Sequence, residues 1–291
     1  MKARRRRRSP DSAARVVRSL ALVCVTAAGC LIAACATALK EPRPLGDLAA
    51  SPSGETAPAG PDEVATLVSN AAALFAERDV EKAKMATRMF LRAAASEGAP
   101  IEALVGAVQA QIWLIDHEAD ARAREEGART AVEAAQWCGR EAPLDPRCDY
   151  WLGAALGVQA REKPSTAVSA LPKIEALFRR AAEAQPALDE GGPDRALALL
   201  YLRAPGWPSG PGDPELGLRH ARTAAELRPD YPPNHLALAE ALSTSGDAEG
   251  GRLEYRRALD QARALAEKGD RDAAEWAAEA EAALGGKRNG G

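Results

Sequence analysis

Aromatic residues make up only 4% of this 291-residue chain, and histidine occurs three times. His117, His220 and His235 stand at no ligand spacing, which argues against a metal site, because such sites need clustered imidazoles, thiolates or carboxylates. There is no Gly-x-x-x-x-Gly-Lys-Ser/Thr loop, no Cys-x-x-Cys, no His-Glu-x-x-His and no Gly-x-Ser-x-Gly. These absences remove the phosphate loop, the dithiol motif, the zinc-protease helix and the nucleophile elbow. Gly285-Gly286-Lys287 belongs to the tail, and His117-Glu118-x-Asp120 reads as a solvated helix end. Glu125-Glu126 and Asp189-Glu190 are adjacent carboxylates; on a helix, as at Glu125-Glu126, such neighbours point apart, and Asp189-Glu190 simply precedes the Gly191-Gly192 turn, so both read as solvated charge. No catalytic residue, metal or cofactor is therefore expected, and no segment shows the sustained alternation of a strand.

The charge is unevenly placed. Lys2, Arg4–Arg8, Arg15 and Arg18 crowd the first nineteen residues, and Leu20–Leu39 carries no charge at all. Within that stretch Leu31-Ile32-Ala33-Ala34 precedes Cys35. A basic start, an apolar core and small residues before a cysteine form a bacterial lipoprotein signal. Residues 1–34 are expected to be removed and Cys35 to carry the lipid. Cys30, after Ala27-Ala28-Gly29, is the alternative site, weaker because Ala27 replaces the usual Leu, Val or Ile. An uncleaved anchor is the rival, since about 20 apolar residues span a bilayer. Each reading leaves the body outside the cytoplasm, on the periplasmic face of a bacterial membrane. Without residues 1–34 the chain has 30 basic and 40 acidic residues, a net charge of −10. An acidic body argues against nucleic acid and against a cationic membrane face.

Outside the signal only Cys138 and Cys148 remain. An isolated pair in an oxidising compartment reads as a disulfide. Residues 35–61 carry Pro42, Pro44, Pro52, Pro58 and Pro61 among Ala, Ser and Gly, the composition of a flexible tether. Residues 62–285 are read as a helical domain and 286–291 as a disordered tail.

The pattern within 62–285 is helix, short breaker, helix. Asp62–Glu77, with Ala65, Val68, Ala72 and Phe75 on one face, pairs with Val80–Ser96, which shows Met85, Met89 and Ala93. Ile101–His117 and Ala119–Trp137 form a second pair, Asp149–Ala160 and Thr166–Ala184 a third, Asp194–Arg203 and Pro214–Leu227 a fourth. Asn234–Ser245 and Ala248–Leu265 make a fifth, and Asp270–Leu284 is a capping helix. The fifth pair reads Leu238-Ala239-x-x-Leu242, then Gly251, Tyr255 and Ala258; the third reads Leu152-Gly153-x-x-Leu156, then Phe178, Ala181 and Pro186. The fourth gives Ala221, Ala224 and Pro229. These are tetratricopeptide offsets, and Ala224 to Ala258 is 34 residues, that repeat's period. Ala181 to Ala224 is 43, and the excess falls in Pro205–Pro214. The expected fold is all-α: a tetratricopeptide-like helix-hairpin solenoid of about five pairs plus a cap, with a generic helical bundle as the rival.

One segment departs from the repeat. Gly191-Gly192-Pro193-Asp194-Arg195 leads to Tyr201 and then Ala204-Pro205-Gly206-Trp207-Pro208, followed by Gly212-Asp213. Trp207 reads either as the wall of a cleft, with Arg195, Tyr201 and Asp213 nearby, or as a plug folded back on the core. At Cys148-Asp149-Tyr150-Trp151-Leu152-Gly153, Gly-Gly-Pro-x-Arg and Ala-Pro-Gly-Trp-Pro the chain resembles the TatT family over roughly Cys148–Leu242. Those are tetratricopeptide-like lipoproteins, the T components of certain TRAP transporters. The resemblance implies a partner among periplasmic substrate-binding proteins or other envelope proteins, and a possible trimer with a pore or hydrophobic cleft. The amino-terminal half, Asp62–Trp137, carries no matching motif. The expectation is a non-catalytic, membrane-tethered binding protein. An envelope-assembly scaffold and an envelope enzyme accessory are the alternatives; the missing nucleophile and metal ligands count against the latter.

Overall fold

A computed structural model describes residues 39–50 and 59–285, which belong to one compact unit, Thr37–Gly291. The signal reading, with Cys30 and Cys35, and the tail 286–291 lie outside the described residues. Among the described residues there are twelve α-helices and no strand. After α1 (Leu45–Ala49) come α2 (Pro61–Ala76), α3 (Val80–Ala94), α4 (Ile101–His117), α5 (Ala121–Glu141), α6 (Pro146–Glu162) and α7 (Ala167–Ala184). Then follow α8 (Gly192–Arg203), α9 (Pro214–Leu227), α10 (Pro232–Thr244), α11 (Ala248–Glu267) and α12 (Ala273–Gly285). Helices α2–α3, α4–α5, α6–α7, α8–α9 and α10–α11 are hairpins stacked in chain order, and α12 covers α11. This is the helix-hairpin solenoid that the spacing predicts.

Local chemistry sets the helix ends. The carboxylates of Asp79, Asp120, Asp145, Asp213 and Asp247 accept backbone N–H groups at the starts of α3, α5, α6, α9 and α11, satisfying donors that have no partner in the helix. The repeat's small positions do what packing requires. Ala181, Ala224 and Ala258 are fully buried, and a Cβ on Gly153 would lie 2.7 Å from Phe178 Cε1, so only glycine lets α6 approach α7 this closely. The predicted face of α2 is met in part: Val68 and Phe75 pack against the core. Val64, Leu67 and Ala71 are buried, whereas Ala65 and Ala72 face outward. Met85 is likewise exposed, and Ala86 and Phe90 fill the core instead. Alanine-rich helices offer several near-equal apolar stripes, and tertiary packing selects one.

Cys138 at the end of α5 and Cys148 at the start of α6 form a disulfide with a Cα–Cα distance of 5.2 Å, as their isolation suggested. Residues 39–50 are not the free tether their composition suggests. Leu48 is buried, and Leu39 and Leu45 pack against the main core. Arg43 donates to Glu133 Oε2 at 2.6 Å, and the Trp137 indole donates to the Arg43 carbonyl at 2.7 Å. Leucines at 39, 45 and 48 supply an apolar stripe that the surrounding prolines and alanines obscure.

The stack also returns on itself. Arg78, in the α2–α3 turn, pairs with Asp272 at 2.7 Å, just before α12. His117, ending α4, meets Glu275 of α12 at 2.5 Å through Nε2 while Nδ1 faces the Trp113 carbonyl at 2.7 Å. The first two hairpins thus reach the last helix and the residue before it.

Candidate functional site

The four residues proposed from sequence do not converge on one cleft. Arg195 lies in a buried polar joint. Its guanidinium donates to Asp189 Oδ2 at 2.8 Å and to Asn234 Oδ1 at 2.9 Å, and sits 5.2 Å from the Tyr231 ring centre. The Tyr150 hydroxyl donates to the same Asp189 oxygen at 2.5 Å. Burial, and then the Asp189 carboxylate, push the Tyr150 hydroxyl well above the usual tyrosine range, so it remains a donor. Asn234 Nδ2 donates to the carbonyls of Glu190 and Ala224, both at 2.9 Å. Three successive residues of this turn are left-handed, with φ of 48° at Asp189, 56° at Glu190 and 81° at Gly191. The first two cost about 1–2 kcal/mol each, and the buried network holds them there. The joint connects α6 to α10 across the start of α8.

Tyr201 is buried as well. Its hydroxyl donates to Glu175 at 2.8 Å and accepts from Arg179 at 2.7 Å, and its ring stacks on His220 at 5.6 Å. Burial, and then the bond to Glu175, raise its pKa to about 12. Asp213 caps α9, its Oδ1 accepting from the N–H groups of Glu215 and Leu216 at 3.0 Å. The polar groups of Arg195, Tyr201 and Asp213 are therefore engaged within the fold.

Trp207 stands apart, 90% exposed, and is no plug. Its loop is nevertheless held firmly. Gly212 N–H donates to the Pro205 carbonyl at 2.8 Å, Asp213 N–H to the Tyr201 carbonyl at 2.9 Å, and Gly206 and Gly212 form a backbone bridge. A Cβ on Gly212 would fall 2.2 Å from the Ala204 oxygen, which explains the glycine. On its inner side the loop rests against Leu171 of α7: a Cβ at Gly210 would be 3.1 Å from Leu171 Cδ1. The fold thus presents the indole outward on a braced support.

The second feature has no sequence signal. A groove of about 750 Å³ runs between α5 and α7, with its upstream wall formed by residues 39–41. Leu39, Val132, Leu156 and Ala170 line its apolar part. Four carboxylates border it, each matched by a cation: Glu133 by Arg43 at 2.6 Å, Glu125 by Lys163 at 2.5 Å, Glu41 by Arg140 at 2.6 Å, and Glu126 by Arg129. Lys40, Arg122 and Lys173 also line it. Burial, and then the nearby Arg180 guanidinium, lower the pKa of Lys173. Among the described residues no cluster of His, Cys, Asp and Glu could hold a metal, and no helix is long and apolar enough to cross a membrane.

No protein-family model matches the chain, and comparison with curated proteins finds no match.

Proposed function

We propose that this protein is an extracytoplasmic lipoprotein, anchored through Cys35, that binds a protein partner and performs no chemistry of its own. The observation that carries the reading is Trp207. A tryptophan 90% exposed on a hydrogen-bonded loop is an anchor side chain placed for another protein's pocket, and truncated tryptophans are among the costliest losses at interfaces. The bracing matters because little conformational entropy is lost when such a loop binds. The sharper form of the proposal, a T component serving a TRAP-type substrate-binding protein, rests on the resemblance at Cys148–Leu242.

Two experiments test it. Fatty-acid-analogue labelling marks the wild-type chain and is lost with Cys35→Ser; label that persists there and disappears only with a change at Cys30 moves the anchor. Envelope proteins retained by the purified lipoprotein, identified by mass spectrometry, include a substrate-binding protein, and Trp207→Ala releases it while the melting temperature is unchanged. Retention that survives Trp207→Ala overturns the role of the loop.

A further inference from the structure

We infer that the groove between α5 and α7 is a docking surface for anionic phospholipid headgroups of the bilayer in which the chain is anchored, with Lys40, Arg122 and Lys173 facing the phosphates. For its placement the inference rests on the reading of Cys35 as the lipidated residue.

The chain enters the body at this groove. Leu39 lines the groove, and the segment behind it is fixed to α5: Gln136 donates to the Lys40 carbonyl at 3.1 Å, Arg140 pairs with Glu41 at 2.6 Å, and Arg43 pairs with Glu133 at 2.6 Å. Cys35 is four residues upstream of Leu39, a reach of at most about 14 Å even when fully extended. A lipid on Cys35 therefore brings the groove to the membrane surface. The long tether that the composition suggested would have left the body free to turn any face to the bilayer.

Each carboxylate bordering the groove is paired within the protein. Among the described residues Lys40, Arg122 and Lys173 have no ionic partner, so the patch presents three uncompensated cations on a body whose net charge is −10. Such cations attract an anionic leaflet over a Debye length, about 10 Å at 0.1 M salt. The partly exposed side chains of Leu39 and Ala170, backed by the buried Val132 and Leu156, lie beside the cations, matching a lipid at the depth where phosphate gives way to acyl chain.

The test uses residues 37–291, a compact unit with its own core and disulfide, so that no lipid contributes. Co-sedimentation is measured with vesicles of phosphatidylcholine alone and of phosphatidylcholine mixed with phosphatidylglycerol, at low and high salt. Partitioning is expected to rise at least about tenfold with phosphatidylglycerol, as three surface cations allow, and to fall with salt. Lys40→Glu, Arg122→Glu and Lys173→Glu together abolish the rise. Arg219→Glu, Arg256→Glu and Arg271→Glu, exposed cations outside the groove, change it by no more than about twofold, and circular dichroism confirms that both triple variants fold. Equal binding to the two vesicle types, or a rise that survives the groove variant or is lost equally in the control variant, overturns the inference. Because the body lacks residue 35, a negative result here leaves the lipidation reading standing. Conversely, a full chain that takes no fatty-acid label, while the body still selects phosphatidylglycerol, rejects the anchor and supports the groove.

Discussion

Replacing Arg195 with Met removes the guanidinium and keeps the aliphatic stem, isolating the charge at the centre of the polar joint. The Arg195 side chain is 14% exposed and that of Asp189 30%, so water replaces only part of what is lost. The substitution leaves Asp189 with the Tyr150 hydroxyl alone and deprives Asn234 Oδ1 of its donor. Breaking a buried pair by removing one partner costs about 3–5 kcal/mol; the partial exposure of Asp189 places this case near the lower end. A domain of this size loses about 2–4 °C per kcal/mol, so the melting temperature should fall by roughly 6–12 °C. Arg263→Met is the reference: its pair with Glu281 is 60% and 53% exposed, and such pairs contribute under about 1 kcal/mol. Denaturant and thermal unfolding of both variants, with Asp189→Asn completing a double-mutant cycle, measure the coupling directly. Asn is the suitable partner change because it tolerates the left-handed backbone at 189. If Arg195→Met destabilises no more than Arg263→Met, the joint is not what holds the strained turn, and the structural assignment of Arg195 fails.

Trp207→Ala should change stability by under about 0.5 kcal/mol, as expected for a side chain off the core; a loss near 3 kcal/mol in denaturant unfolding would show that the indole packs in solution. Gly153→Ala should cost about 1–3 kcal/mol through its clash with Phe178, measured the same way, and an unchanged midpoint refutes the close approach of α6 and α7. Intact-mass analysis should find Cys138 and Cys148 blocked before reduction, and reduction should cost about 2–3 kcal/mol; thiols that alkylate without reductant contradict the bridge. Burial lowers the His117 pKa, but its bonds to the Trp113 carbonyl and to Glu275 outweigh burial and raise it overall. A raised folded-state value means that the stabilisation is complete below the unfolded pKa, near 6.5, and is lost as pH rises through the folded value. The stability difference between wild type and His117→Gln should therefore be larger at acid pH than at alkaline pH, and a difference independent of pH denies that the α4–α12 contact is ionic.

Local chemistry made much of this molecule readable from its sequence. Helix-forming composition, three- and four-residue apolar spacing, aspartates before the helices, and small residues at Gly153, Ala181, Ala224 and Ala258 specify hairpins that must stack to bury their faces. The lone pair Cys138 and Cys148 could be read because sequence neighbours across a short turn are neighbours in space. The remainder depended on residues far apart in the chain. Arg195 resembled a cleft residue until folding placed Asp189, Tyr150 and Asn234 around it. Asp213 is spent on a helix end, and Tyr201 turns inward to Glu175. Leu39 and Leu48 hold their segment against the body only because α3 and α5 offer it a surface. Net composition says that the body is acidic, but it cannot say which carboxylates find partners; Lys40, Arg122 and Lys173 come together from three segments, and only the packing of α6 against both α5 and α7 leaves them facing one groove.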